Sequence, residues 1–162
     1  VTDMSNMFNS TEKFNQDISQ WNVSKVTTMS NMFEGAVEFN QDLGSWKVLN
    51  VTSMSQMFKD ATKFNQDIGQ WNVSNVTTMA GMFQGDNSVS NPRVTTFNQN
   101  ISNWNVSKVT DMNSMFSGNK SINQDLSGWN VDAVTTSGKA NFDAYTSPSA
   151  GGSWVLPKQN FN

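Results

Sequence analysis

Residues 14–39 read FNQDISQWNVSKVTTMSNMFEGAVEF, and versions of this stretch return along the chain with tryptophan at Trp21, Trp46, Trp71, Trp104, Trp129 and Trp154. The steps between those tryptophans are 25, 25, 33, 25 and 25 residues, so one interval alone is longer, by eight. Val1, Val26, Val51, Val76, Val109 and Val134 open the next segment of each unit with the same spacing and the same single insertion. Two markers agree on one register. A period of this length is the signature of a repeat architecture in which neighbouring units stack.

Working outward within the unit, the apolar positions fall into two stretches. The first is Ile18, Trp21 and Val23, with counterparts such as Leu43, Trp46 and Val48. Its β-branched residues and polar fillers predict a short strand entered by a bend. The second is Val26, Met29, Met32, Phe33 and Ala36, whose steps of three predict one face of a short helix. Gly35, Gly85 and Gly118 then stand where a helix C-terminus calls for positive φ. The segment Phe39-Asn40-Gln41-Asp42 is expected to loop back to the next strand. All ten methionines occupy the two inward positions of the second stretch, where a flexible side chain fills gaps beneath tryptophan.

These residues carry a family resemblance. The pattern I-x-x-W-x-V resembles the strand of leucine-rich repeats, and VTxMxxMFxxA followed by FNQDIxxWNVS resembles the BspA-like surface-protein repeats and the related repeat family of mycoplasma lipoproteins. It runs through nearly the whole chain. The resemblance implies a right-handed solenoid on secreted or surface-anchored proteins, with adhesion and protein binding as the functions of the group.

The expected fold is therefore an α/β repeat spanning residues 1–162 as one domain. It is a right-handed, leucine-rich-repeat-like solenoid of about six 25-residue coils, with parallel strands on one face and short helices or turns on the other. One coil cannot bury enough apolar surface to offset the ordering of its backbone, so coils must stack. The tail, residues 137–162, loses the Met-Phe pattern and gains Gly151-Gly152 and Pro157 while keeping Trp154. It is expected to be a closing cap, with Phe142, Tyr145 and Phe161 as the lid. Because Val1 to Phe8 read as the middle of a unit, the chain is expected to be a segment of a longer protein, with any anchor or export signal outside it.

Composition narrows the functional classes. Ten basic against 13 acidic residues give a net charge of −3 with no charge block, which argues against nucleic acid or anionic lipid as partner. No apolar run approaches the roughly 18 residues of a membrane span, so no membrane insertion by this segment is expected. Histidine and cysteine are both absent. That removes the commonest general base, the commonest metal ligand and the thiol nucleophile. No glycine-rich phosphate loop is present either. The chain is accordingly expected to have no catalytic residues, to be no enzyme and to need no cofactor.

Two sets of residues remain as candidates for contact. The outward positions of the predicted strand face include Gln20, Asn22, Lys47, Leu49, Gln70, Asn72, Asn103 and Asn105. They form a nearly uniform polar row that Lys47 and Leu49 interrupt together. The second set lies in the insertion, about residues 86–96 and reading DNSVSNPRVTT, with Asp86, Asn87 and the chain's single arginine, Arg93. Loops on a rigid scaffold often carry recognition. The recurrent Asn-Gln-Asp triplets are expected to bond neighbouring loops, while a line of calcium sites on Asp17, Asp42, Asp67 and Asp125 is the weaker alternative. Asn100 in place of the aspartate in one coil counts against calcium. The expected function is a surface-displayed, extracellular interaction or adhesion module for a host or neighbouring-cell protein or glycan. A passive spacer in a longer surface protein is the alternative, and a glycan-active enzyme a distant third.

Overall fold

The computed structural model describes residues 1–86, 88, 92–144, 146 and 155–157. Trp154, Tyr145, Phe161, Gly151, Gly152 and Asn87, to which roles were assigned above, lie outside the described residues. Counting coils from the valines Val1, Val26, Val51, Val76, Val109 and Val134, each coil is a closed circuit of tight turns.

Its corners follow the apolar spacing. In one circuit the Trp21 N–H donates to the Ile18 carbonyl at 3.1 Å, Val26 to Val23 at 2.9 Å, Met32 to Met29 at 3.2 Å, Ala36 to Phe33 at 3.0 Å and Phe39 to Ala36 at 3.1 Å. These are the three-residue closures of β-turns. Of these apolar residues all but Trp21 are buried, and the residues between the closing pairs are mainly polar and face outward: Ser19-Gln20, Ser24-Lys25, Ser30-Asn31.

This corrects two expectations. The stretch from Val26 to Ala36 is not a helix, and Ile18 to Val23 is not a strand; among the described residues there is no α-helix and no multi-residue strand. The helix fails to propagate because Asn31 and Gly35 take φ of 59° and 68°, a left-handed backbone that interrupts right-handed winding. Asn6, Gln56, Gly81 and Ser114 repeat the first of these positions in their own coils. Parallel pairing lies mainly in the segment read as helical, as single bridges joining Asp3, Thr28, Ser53, Thr78 and Asp111 in turn, with a further parallel bridge between Asp125 and Val155. Gly118 has the expected positive φ, at 72°, but Gly85 does not. Gly85 is required for close approach instead: a Cβ there would lie 2.7 Å from the Arg93 carbonyl and 2.9 Å from that of Gly118.

Alternate amides of the methionine segment serve the turns and the stack. Met29, Asn31, Phe33 and Gly35 donate to the Ser53, Ser55, Met57 and Lys59 carbonyls of the next coil at 3.0, 2.9, 2.9 and 2.8 Å. The intervening Met32, Glu34 and Ala36 close turns within their own coil. Each later threonine of the Val-Thr pair binds backwards, with the Thr27 N–H and hydroxyl both donating to the Thr2 carbonyl at 2.7 and 3.1 Å. Thr52, Thr77, Thr110 and Thr135 repeat this.

Aromatic columns fill the interior. Phe8, Phe33, Phe58, Phe83 and Phe116 stack coil to coil with centroids 5.5 to 5.8 Å apart. Phe14, Phe39, Phe64 and Phe97 form a second column beside them. Within the second coil the two columns meet face to face, Phe33 to Phe39, at 4.0 Å. Phe39 is thus core, where the sequence pattern placed a loop. Nine of the ten methionines are buried as expected, and Met7 in the first coil is exposed. Asn119 occupies the alanine position of the second and third coils, fully buried, and uses its amide to bind the Phe97 carbonyl at 3.0 Å and the Ile122 N–H at 3.0 Å.

The indoles lock the stack further. Nε1 of Trp46, Trp71, Trp104 and Trp129 donates to the carbonyls of Ile18, Leu43, Ile68 and Ile101 in the preceding coil at 2.9 to 3.2 Å. Trp71, Trp104 and Trp129 stack with centroids 6.5 and 6.4 Å apart. Trp21 makes no such bond among the described residues and is 39 % exposed. At the other end Val155 pairs with Gln124 and Leu126, and Leu156 and Phe142 pack on the core.

Two comparisons test this packing. Trp71→Phe removes the indole donor from the Leu43 carbonyl, which keeps the Trp46 N–H, and leaves a gap in the buried tryptophan column; it is expected to lower unfolding free energy in urea by about 1–3 kcal/mol, whereas Trp21→Phe should stay within about 0.5 kcal/mol. Similar losses for both would mean that the indole bonds carry no stability. A Cβ on Gly69 would sit 2.4 Å from the Asn100 carbonyl, while one on Gly128 meets nothing within 4 Å. Gly69→Ser, which introduces the residue of Ser19 and Ser102, should therefore cost about 1–3 kcal/mol. Gly128→Gln should be neutral within about 0.5 kcal/mol in the same titration.

Candidate functional site

The candidate residues fall on three separate rows of the stack. Along the Asn-Gln-Asp row, the expected asparagine bonding is present. Oδ1 of Asn15, Asn40, Asn65 and Asn98 accepts the N–H of Asn40, Asn65, Asn98 and Asn123 at 2.8 to 3.0 Å. The glutamine amides Gln41, Gln66, Gln99 and Gln124 clamp the same asparagines from the next coil. Among the described residues Asn123 ends the row, and its buried Oδ1 has no donor there.

Each aspartate of the triplet caps a turn. Oδ1 of Asp17, Asp42, Asp67 and Asp125 accepts the N–H two residues on, from Ser19, Gly44, Gly69 and Ser127, at 2.8 to 2.9 Å. Asn100 does the same for Ser102 at 3.0 Å. The amide oxygen serves as well as the carboxylate, which accounts for the exchange. The backbone N–H of Ser19, helped by its hydroxyl, lowers the Asp17 carboxyl below its ordinary value. Among the described residues no group of three or more acidic side chains comes together to hold a metal ion.

The row beside the tryptophans is largely committed to itself. Asn22, Asn72 and Asn105 each accept the hydroxyl of the serine two residues on at 2.7 Å, together with its N–H. Gln20 reaches Ser19, and Gln70 and Asn103 are exposed. The second coil departs from this: Lys47 and Leu49 replace the asparagine and serine, so that turn cap is missing and Leu49 is 46 % exposed.

The insertion forms the third site. Asp86 and Arg93 pair antiparallel through both backbone bonds at 3.0 and 2.9 Å. The Asp86 N–H also reaches Asp60 Oδ1 at 2.8 Å, and Thr95 and Thr96 fasten the returning segment to the Phe83 and Thr62 carbonyls. The Arg93 guanidinium is occupied, bonding Glu12 Oε1 at 2.6 Å. No hydrogen bond or ion pair among the described residues joins the insertion to Lys47, Leu49 or the asparagines of the tryptophan row. The structure therefore does not gather the candidates into one site.

Sequence reasoning passed over the edge on which the insertion lies. Between the paired phenylalanines the coils differ most, as in Glu34 to Glu38 against Lys59 to Lys63. Their charges pair between coils, Lys59 with Glu34 at 2.8 Å and Lys63 with Glu38. Burial would raise the Glu34 carboxyl, but hydrogen bonds from Lys59, Asn31 and Asn9 and the Lys59 charge outweigh it and hold it below its ordinary value. Coil-to-coil variation was the available signal, since it is lowest in the Val-Thr and Trp-x-Val segments that build the stack.

A family model described as "Mycoplasma protein of unknown function, DUF285" matches residues 1–95 and again 92–159. The chain belongs to this family. The two matches meet inside the insertion, where the 25-residue register breaks. No curated protein and no solved structure matches the chain. Among the described residues no helix is long and apolar enough to cross a membrane.

Asp60 gives the edge a pH signature. Burial, with the neighbouring Asp86 charge, raises its carboxyl above the ordinary value despite the Asp86 N–H, Lys59 and Arg93. The folded state thus binds this proton more tightly than the unfolded one, and ionisation removes stability as pH rises past the ordinary carboxylate value. Asp60→Asn keeps an oxygen for the Asp86 N–H without the charge. It is expected to unfold at a higher temperature than the parent at pH 7, with the difference fading below about pH 4. A variant no more stable at pH 7 would show that the charge carries no net penalty.

Proposed function

We propose that this chain is a non-catalytic interaction module displayed outside the cell, binding a protein or glycan on a host or neighbouring cell. In this reading the coil stack is a right-handed solenoid of the leucine-rich-repeat kind, akin to BspA-like surface proteins and mycoplasma lipoproteins. The ladder of parallel bridges and the columns of tryptophan and phenylalanine support that kinship. Each coil here, however, is built of turns.

The observation that carries the reading is the break at Lys47 and Leu49. In the coils of Trp21, Trp71 and Trp104, asparagine and the serine two residues on satisfy each other, and Asn130 caps the Asp132 N–H. In the second coil a cation and an exposed apolar side chain stand two residues apart. A partner with a carboxylate or hydroxyl-rich polar group beside an apolar one fits them. The insertion contributes less to this reading, since the Arg93 guanidinium is taken by Glu12 and Asp86 Oδ1 accepts the Ser88 N–H. The self-satisfied remainder of the row favours the alternative, a passive spacer in a longer surface protein.

A glycan and protein array probed with the purified chain distinguishes the two. Lys47→Asn with Leu49→Ser restores the turn cap of the other coils, so it should fold normally. The module reading expects at least one specific binder whose signal falls about tenfold or more in that double variant, roughly the loss of one well-placed contact. Unaltered binding would remove the assignment to Lys47 and Leu49, and the absence of any binder would favour the spacer.

A further inference from the structure

Among the described residues the hydrogen bonds and ring contacts of the stack join each coil to the next, as Met4 joins the Thr28 carbonyl and Phe8 stacks on Phe33. In a stack held by nearest-neighbour contacts alone, one coil can open independently of those further along.

Among the described residues one contact does not follow the nearest-neighbour pattern. Arg93 leaves the insertion of the fourth coil and bonds Glu12 of the first, 81 residues earlier, at 2.6 Å. Its path crosses Gly35 of the second coil, where an added Cβ would lie 3.3 Å from Nη1, so the glycine keeps the passage open. The base of the insertion is fixed independently of that ion pair. Asp86 and Arg93 are paired to each other, the Asp86 N–H is held by Asp60 of the third coil, and Thr96 binds the Thr62 carbonyl of the same coil. The guanidinium is thus delivered from a fixed base to a coil that is not its neighbour.

We propose that the insertion is a strap, through which Arg93 ties the first coil to the fourth and suppresses its independent opening. The contact joins coils that are not neighbours, which makes the first four coils a closed unit inside an otherwise linear array. Both side chains are partly exposed, at 28 % and 59 %. The effect is therefore that of a surface ion pair, about a two- to fivefold change in the local opening equilibrium.

Amide hydrogen exchange on the full chain reads this directly. The reporters are the first-coil donors Met4, Asn6, Phe8 and Ser10, which bond the second coil, against Met112, Ser114 and Gly118 near the far end. Arg93→Gln and Glu12→Gln should each lower first-coil protection about two- to fivefold and leave the far end unchanged. The double variant should fall no further than either single one, and the charge swap Glu12→Arg with Arg93→Glu should restore protection. Unchanged first-coil exchange, an equal loss at the far end, additive single effects or an unrestored swap would each overturn the strap.

Discussion

The alternation of backbone amides in the methionine segment is the constraint on which the rest of the structure depends. Met29, Asn31, Phe33 and Gly35 send their N–H groups to the next coil, while the amides between them close turns in their own. Neither job can be dropped, because a buried amide without an acceptor costs more than a typical hydrogen bond returns. The left-handed φ at Asn31 and Gly35 makes the alternation sustainable, by stopping the segment from winding into a helix that would satisfy its amides internally. Once the amides are shared this way, coil spacing is fixed. Phenylalanine and tryptophan columns then follow, since identical side chains at one register position must stack.

That geometry explains why the sequence was legible in its period and not in its elements. Register, stacking and the buried set could be read from Trp21, Val26 and their counterparts, because a period survives whatever backbone realises it. The local conformation was ambiguous, since apolar residues three apart suit both a helix face and the two ends of a β-turn. The discriminating detail is the rhythm. Val26, Met29 and Met32 step by three and three, and Phe33, Ala36 and Phe39 do so again, whereas a helix must mix threes with fours to stay on one face. Asparagine or glycine at Asn6, Asn31 and Gly81 was a second cue to left-handed backbone, blurred by Gln56 and Ser114 at the same place.

The candidate contacts were legible only in part, for a different reason. A row of outward polar residues looks available in sequence, but Asn22, Asn72 and Asn105 are occupied by their own serines and Arg93 by Glu12. Short polar side chains near a turn readily bond local backbone. Exposure in a sequence pattern therefore overstates free valence. Lys47 and Leu49 survive because their chemistry cannot make the local cap at all.

The edge between the two phenylalanine columns shows how a stack tolerates variation. Its side chains project from turns whose closures are fixed by Phe33, Ala36 and Phe39, so residues 34, 35, 37 and 38 can change provided the backbone conformation and the neighbouring coil permit it. Gly35 answers to φ and to the passage of Arg93; Glu34 and Glu38 answer to the lysines one coil on. Charge there is set pairwise between coils, and an insertion fits because the chain can leave after Gly85 and return at Phe97 without disturbing either column. The stack thus concentrates its freedom on one edge, and it is there that a family sharing this coil can diversify without altering the core.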